Sequence, residues 1–191
     1  MAAGTHDNGV DDRLLALLTK HSFARKKVVL ASGRESDFFI DCKQTVLLAE
    51  GHALVGERML AALASFTDEP VAVAGVELGG CPLASAVALI SYQRGRGLDA
   101  VYVRKDAKDH GSKRTLEGDA HLPEGALIVV LEDVITTGGS TLKAVEKLRA
   151  RGLRVVGVVT LVDRLEGGGE AITAAGLPLV AIFTRHDFIP A

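Results

Sequence analysis

The chain has 191 residues, of which 48% are apolar, which is enough for one well-formed core with a small accessory element but short for two full domains. Lys and Arg number 22 against 24 Asp and Glu, so no excess of positive charge is present to neutralise a nucleic acid, and we expect no nucleic-acid partner. The amino end lacks the pattern of a secretory signal, and no segment reaches the roughly 18 apolar residues of a membrane span. Cys42 and Cys81 stand in neither CxxC nor metal-ligand spacing, which favours reduced thiols and a cytoplasmic location.

The first quarter of the chain predicts a small accessory element. Residues 1–10 are rich in Gly, Asn and Asp and are typical of a flexible tail. Residues 11–20 carry leucines at helical spacing. Two apolar runs, 27–30 and 37–42, flank Ser32-Gly33-Arg34, whose composition indicates a turn, so they predict an antiparallel hairpin. We therefore expect a hood element over about 11–48.

The rest of the chain, about 49–191, predicts an α/β core within a single domain. It opens with an amphipathic helix from Ala49 that ends before residues 68–70. Further helices are predicted at 82–92, 140–151 and 169–175, and strands at 71–75, 100–103, 126–131, 154–162 and 179–183. Near-continuous Val, Ile and Leu in these strands indicates an open, mainly parallel sheet flanked by helices. Residues 105–124 are polar without an apolar period, and a loop of this length is usually functional or disordered.

The segment 127–141, LIVVLEDVITTGGST, carries the most chemical information. A buried strand runs into Glu132 and Asp133 and then through a glycine turn into a helix, and ligands bind at the carboxyl ends of such strands. Glycines let the backbone approach a phosphate, and the N–H groups at a helix start favour an anion. We predict a pocket for one phosphate monoester, with the two acids suited to a sugar diol. A simple βα turn with unconnected surface acids is the alternative. No GxxxxGK[ST] nucleotide loop is present.

This segment resembles the signature of type I phosphoribosyltransferases, which bind phosphoribosyl diphosphate (PRPP) with the acids on the ribose hydroxyls and the loop on the 5'-phosphate. The signature alone does not indicate the acceptor base. Residues 102–111, YVRKDAKDHG, look like the catalytic loop of orotate phosphoribosyltransferases, although by composition alone a solvated charged loop would be the better interpretation. Cations at this position can stabilise the charge that develops on departing pyrophosphate, and Gly111 would allow the loop to close.

The resemblance implies the type I fold, conversion of orotate and PRPP to orotidine 5'-phosphate and pyrophosphate, and Mg²⁺ held mainly by substrate and water. It also implies a homodimer whose catalytic loop is shared across the interface. The implied catalytic residues are Lys108, His110 and Asp133. The implied PRPP contacts are Arg104, Lys105, Lys108, His110, Glu132, Asp133, Val134, Ile135, Thr136, Thr137, Gly138, Gly139 and Ser140. The implied orotate contacts are Thr136, Arg164, Phe39 and Ile40. Taken without the family, Phe39 is more typical of a core, and Arg164, just past a strand end, of a surface.

The sequence departs from the family pattern at two places. Ala31 stands where many members have Lys, and Leu78-Gly79 replaces a common Tyr-Lys pair. The glycine-rich turn that ends at Gly80 offers backbone N–H donors instead, which could cradle pyrophosphate. Two other functions stay open: transfer to another base, and a non-catalytic regulator that senses PRPP, although no basic helix-turn-helix segment is visible.

Overall fold

The computed structural model describes residues 8–29, 35–106 and 114–189. The accessory element comprises helix α1 (Asn8–His21), strands β1 (Phe23–Val29) and β2 (Glu35–Ile40), and the short helix α2 (Lys43–Val46). Strands β1 and β2 pair antiparallel, with Phe23 opposite Ile40, so the hairpin prediction is confirmed. Helix α1 begins three residues earlier than the predicted residue 11. The predicted turn at Ser32-Gly33-Arg34 and the adjacent Ala31 lie outside the described residues.

A six-stranded sheet forms the centre of the molecule, with the order β5-β4-β3-β6-β7-β8. Every neighbouring pair is parallel except β4 and β5, which are antiparallel. The predicted open, mainly parallel α/β fold is therefore confirmed. The strands are β3 (Ala72–Val76), β4 (Asp99–Val103), β5 (Leu116–Glu117), β6 (Leu127–Ile135), β7 (Arg154–Asp163) and β8 (Leu179–Thr184). The remaining helices are α3 (Ala49–Ala62), α4 (Gly80–Gln93), α5 (Gly139–Ala150), α6 (Gly168–Ala174) and α7 (Arg185–Phe188), with a short 3-10 turn at Leu63–Ser65.

Alternation along the central strands divides the core into two clusters, one on each face of the sheet. Val129 and Leu131 of β6 pack with helices α1, α3 and α4 and with the hairpin, whereas Ile128 and Val130 pack with α5 and α6. Because both faces of β6 are covered by apolar side chains, its position is fixed by burial on two sides. Within the described ranges, no helix is both long enough and apolar enough to cross a bilayer.

Two expectations about element boundaries were wrong. The strand predicted at 126–131 continues to Ile135, because β7 extends the ladder through the pairs Glu132 with Thr160 and Ile135 with Asp163. The polar stretch 105–124 is not loop throughout, because β5 at Leu116–Glu117 adds to the open edge of β4. The four-residue helices α2 and α7 are too short to produce a periodic sequence signal.

Candidate active site

Two adjacent carboxyl groups lie at the carboxyl edge of the sheet, on the last part of β6. Glu132 is buried, and its Oε2 accepts hydrogen bonds from the hydroxyls of Thr141 at 3.0 Å and Ser140 at 3.3 Å. Asp133 is half-buried, and its Oδ1 accepts the N–H of Val134 at 3.0 Å. Because β6 continues past both residues, the acid pair is held on a central strand rather than on a loop.

Burial dominates the electrostatics of this acid pair. Loss of solvent, with the neighbouring Asp133 charge adding to it, raises the pKa of Glu132 to about 8. Burial also raises the pKa of Asp133, although the charge of Lys43 opposes the increase. The two acids titrate as a coupled pair, and their charged form is favoured by a ligand that brings hydroxyl donors or a cation.

A glycine turn follows the acid pair and leads into α5. Gly138 has φ +78° and precedes the first residue of the 12-residue helix, so the N–H groups of the first turn are available to an anion. Thr137, Gly139 and Ser140 are exposed there. Gly168 at the start of α6 supports the turn from behind, since a Cβ on Gly168 would lie 2.6 Å from the carbonyl oxygen of Thr136. This phosphate turn, residues 136–140, has the size and polarity for one phosphate group.

A second glycine turn, residues 76–80, joins β3 to α4 and lies directly against the acid pair. A Cβ on Gly79 would lie 2.1 Å from Oδ2 of Asp133, and one on Gly80 would lie 2.5 Å from the carbonyl oxygen of Leu131. A side chain at residue 79, such as the Lys of the family pattern, would therefore displace the Asp133 carboxylate. We call residues 76–80 the diphosphate turn, after the role predicted for its backbone N–H groups. Glycine at residue 79 lets the backbone of this turn approach the site closely, as that prediction requires.

The cationic stretch begins at the end of β4, on the same edge of the sheet. Arg104 is half-buried, with its guanidinium 3.7 Å from Oε1 of Glu117, and Lys105 is exposed. Lys108, His110 and Gly111 lie outside the described residues, so their roles stay predictions. The structure thus brings Arg104 and Lys105 to the edge that carries the acid pair and both glycine turns.

Of the four residues predicted to contact the base, Thr136 lies in the phosphate turn, Phe39 and Ile40 lie in β2 of the hairpin, and Arg164 directly follows β7. Arg164 is only 8% exposed, because its guanidinium donates to the carbonyl oxygen of Phe38 at 3.1 Å and pairs with Glu166 at 2.8 Å. It is therefore not the surface residue that its position past a strand end would ordinarily indicate. Ile40 is buried in the core, whereas Phe39 is half-buried with the ammonium of Lys26 3.9 Å from its ring centroid. Phe39 is the more accessible of the two predicted base contacts in β2.

Three charged residues near the site have no signal in the sequence. Lys43 pairs with Asp41 at 2.6 Å, and the neighbouring Cys42 thiol donates to the carbonyl oxygen of Asp133 at 3.7 Å, which places α2 beside the acid pair. Glu77 and Lys147 contact the backbone at Lys105. These contacts join residues far apart in the chain and depend on the sheet order, which residue spacing does not indicate.

A carboxylate pair on a central parallel strand, followed by a glycine turn at a helix start, is the arrangement expected of a phosphoribosyltransferase. In agreement, the family profile described as "Phosphoribosyl transferase domain" matches residues 48–174. An orotate phosphoribosyltransferase of Sorangium cellulosum is 68% identical over 99% of this chain and 96% of the relative. One from Bradyrhizobium sp. strain BTAi1 is 46% identical over 93% of this chain and 96% of the relative. The chain belongs to the orotate phosphoribosyltransferase family.

Solved structures agree with this assignment. The crystal structure of Mycobacterium tuberculosis H37Rv orotate phosphoribosyltransferase in complex with Fe(III) dicitrate superposes with a TM-score of 0.79 at 36% identity, covering 94% of this chain and 99% of that chain. The structure of the same enzyme in complex with PRPP has a TM-score of 0.75 at 34% identity, covering 94% and 98%. Adenine phosphoribosyltransferase from Leishmania donovani, at 14% identity with a TM-score of 0.64 and coverage of 93% and 82%, shares the fold.

Proposed function

We propose that this chain transfers the 5-phosphoribosyl group from PRPP to orotate, giving orotidine 5'-phosphate and pyrophosphate in pyrimidine biosynthesis. The observation that carries the proposal is the pair of the buried Glu132 and the half-buried Asp133 between two glycine turns, in a chain of the orotate phosphoribosyltransferase family. Both substrates are small and anionic, which suits a site that combines helix-start N–H groups with nearby cations.

The proposed reaction breaks the bond between the ribose C1 and the diphosphate oxygen and forms a bond from C1 to a ring nitrogen of orotate, whose N–H proton is lost to solvent. As the diphosphate leaves with the bond electrons, the ribose gains oxocarbenium character. Glu132 and Asp133 accept hydrogen bonds from the ribose hydroxyls and orient the sugar. The phosphate turn binds the 5'-phosphate, while Arg104 and Lys105, with the predicted Lys108 and His110, stabilise the charge on the departing diphosphate.

Magnesium belongs to the proposal as a substrate-bound ion. Throughout residues 8–29, 35–106 and 114–189, no group of three or more His, Cys, Asp or Glu side chains is arranged to hold a metal. An Mg²⁺ ion commonly keeps several waters and takes few protein ligands, so diphosphate and ribose oxygens would complete its shell beside Glu132 and Asp133. When bound, the ion would neutralise diphosphate charge.

We also infer a homodimer. An exposed apolar face on α4 and β4 supports this inference. Leu89 and Tyr92 of α4 are 54% and 77% exposed, and Tyr102 of β4 is joined to the same helix through a hydrogen bond between its hydroxyl and that of Ser85. Large exposed apolar side chains grouped on one face commonly mark an interface. Tyr102 immediately precedes the cationic stretch, so a partner bound on this face would lie beside that stretch.

A cytoplasmic location is likewise part of the proposal. Cys42 and Cys81 are both free. Burial raises the pKa of the Cys81 thiol to about 11 and raises that of Cys42 well above its usual value, so both thiols stay protonated at neutral pH. Such thiols suit a reducing compartment.

The direct test is loss of orotate absorbance when PRPP and magnesium are added to the purified protein. We expect turnover with orotate, little turnover without magnesium, and none with Asp133→Asn in place of the wild type. A panel of purine and pyrimidine bases, supplied with PRPP in parallel, tests the acceptor. Turnover with a purine but not with orotate would refute the assignment, and PRPP binding without turnover of any base would favour the regulator.

Mixing two variants of strongly reduced activity tests the shared site. If the loop enters the partner's site, a heterodimer of Lys108→Ala and Asp133→Asn has one site free of both changes, so an equal mixture after subunit exchange recovers about a quarter of wild-type activity. No recovery, with exchange verified by mass spectrometry, would show that each subunit is self-contained.

A further inference from the structure

The backbone at the start of the cationic stretch is held from two sides by charged side chains. The ammonium of Lys147 donates to the carbonyl oxygens of Arg104 at 2.7 Å and of Lys105 at 2.8 Å. On the other side, the N–H of Lys105 donates to Oε2 of Glu77 at 2.8 Å. One peptide segment therefore contacts a cation through its carbonyls and an anion through its N–H, and both are charge-assisted interactions.

Two backbone hydrogen bonds complete this arrangement. The N–H of Arg104 donates to the carbonyl oxygen of Thr115, and the N–H of Glu77 donates to that of Val103, each at 2.9 Å. Glu77 belongs to the diphosphate turn, and Lys147 belongs to α5, whose first two residues are also the last two of the phosphate turn. Through their side-chain hydrogen bonds, Glu77 joins the backbone of Lys105 to the diphosphate turn, and Lys147 joins the backbone of Arg104 and Lys105 to the helix that follows the phosphate turn.

We propose that Glu77 and Lys147 are positioning residues that hold Arg104 and Lys105 in the orientation needed to bind the diphosphate of PRPP. This inference rests on the proposed function. In this proposal the side chains of Glu77 and Lys147 act on the backbone of Arg104 and Lys105 rather than on the substrate. A displacement of about 1 Å at such residues is enough to weaken a charge-based contact substantially, which is why the backbone there needs fixed partners.

A simpler role for Lys147 is to offset the dipole of α5, because it lies in the last turn of that helix. Arg149 lies in the same turn, is exposed, and would share that role. Arg149→Met is therefore the matched control for Lys147→Met, since each removes one cation from the same helix end. Lys147→Arg and Glu77→Gln keep a donor and an acceptor, respectively, and serve as conservative variants.

Steady-state kinetics provide the first test. We expect Lys147→Met and Glu77→Ala to raise the KM for PRPP about tenfold, with the KM for orotate at saturating PRPP within about twofold of wild type. Lys147→Arg, Glu77→Gln and Arg149→Met should keep the PRPP KM near the wild-type value. If Lys147→Met and Arg149→Met have the same PRPP KM, the inference is overturned.

Limited trypsin digestion without substrate gives a second test that does not depend on activity. Cleavage after Arg104 and Lys105, followed by mass spectrometry, should be at least about fivefold faster in Lys147→Met and Glu77→Ala than in Arg149→Met, at matched thermal stability. If the wild-type protein shows no orotate turnover while Lys147→Met and Glu77→Ala are cleaved faster than Arg149→Met, the proposed function is refuted and the positioning contacts remain supported. Equal cleavage rates among the three variants would overturn the contacts themselves.

Discussion

Replacing Glu132 by Gln should stabilise the substrate-free protein at alkaline pH while it weakens PRPP binding. Glu132 is 5% exposed, and its Oε2 accepts the hydroxyls of Thr141 and Ser140. The amide oxygen of Gln can accept the same hydrogen bonds without a buried charge. The substitution therefore removes the cost of burying a charge and also removes the carboxylate that orients the ribose in the proposed reaction.

The pH dependence follows from the direction of the pKa shift. Glu132 titrates near 8 in the folded protein and near 4.5 when unfolded, so the folded state binds more protons between these values. The wild type consequently loses stability as pH rises from about 4.5 to about 8, and the full penalty is present above that range. At about 1.4 kcal/mol per pH unit, the penalty grows by at most about 3 kcal/mol from pH 5.5 to pH 8.5. Because Glu132 and Asp133 titrate as a coupled pair, we expect this penalty to grow by about 1–3 kcal/mol over that pH range.

Urea unfolding at pH 5.5 and pH 8.5 measures this effect on the free energy of unfolding. The stability of Glu132→Gln relative to wild type should increase by about 1–3 kcal/mol between the two pH values. Glu146→Gln, an exposed position on α5, is the control and should change by less than about 0.5 kcal/mol. A stability difference for Glu132→Gln that is the same at both pH values would refute the claim that burial suppresses ionisation of this carboxyl.

Three further substitutions test separate parts of the site. Gly79→Ala places a Cβ 2.1 Å from the position of Oδ2 of Asp133, so the carboxylate must move. The KM for PRPP measured by steady-state kinetics should therefore rise about tenfold. An unchanged KM would contradict the close approach of the diphosphate turn to Asp133. Arg164→Lys cannot reproduce both the hydrogen bond to Phe38 and the pairing with Glu166, so urea unfolding should show a loss of about 1–2 kcal/mol. The same variant should raise the KM for orotate more than that for PRPP, and equal increases would argue against a base contact. Lys108→Ala should reduce turnover at least tenfold, about 1.4 kcal/mol of barrier, and wild-type turnover would remove the loop from the mechanism.

The buried strands of the sheet were predictable because each is a run of Val, Ile and Leu between turn residues. Strand β6 was predicted too short, because Glu132 and Asp133 are untypical of a buried strand and only pairing with β7 keeps them extended. Strand β5 was missed because its two residues form a strand only through the open edge of β4. Both errors arise where tertiary pairing, rather than local preference, determines the backbone.

The acid pair and the phosphate turn were predictable because they lie on one continuous segment with a recognisable spacing. The environment of Arg164 was not, because its burial depends on a carbonyl oxygen of Phe38, which is distant in sequence. The reason for glycine at residue 79 was not predictable either, since a Cβ there would occupy the space taken by the Asp133 carboxylate. Contacts of this kind follow from strand order, so the sequence indicates the chemistry of the site better than its packing.

Calorimetric titration of PRPP into the wild type and into Asp133→Asn tests most directly whether the carboxylate pair on β6 is the sugar-binding element. The account predicts that the wild type binds PRPP in the presence of magnesium and that Asp133→Asn, folded as judged by its unfolding transition, binds at least about tenfold more weakly. Equal affinity of the two proteins for PRPP would contradict the central role of the acid pair.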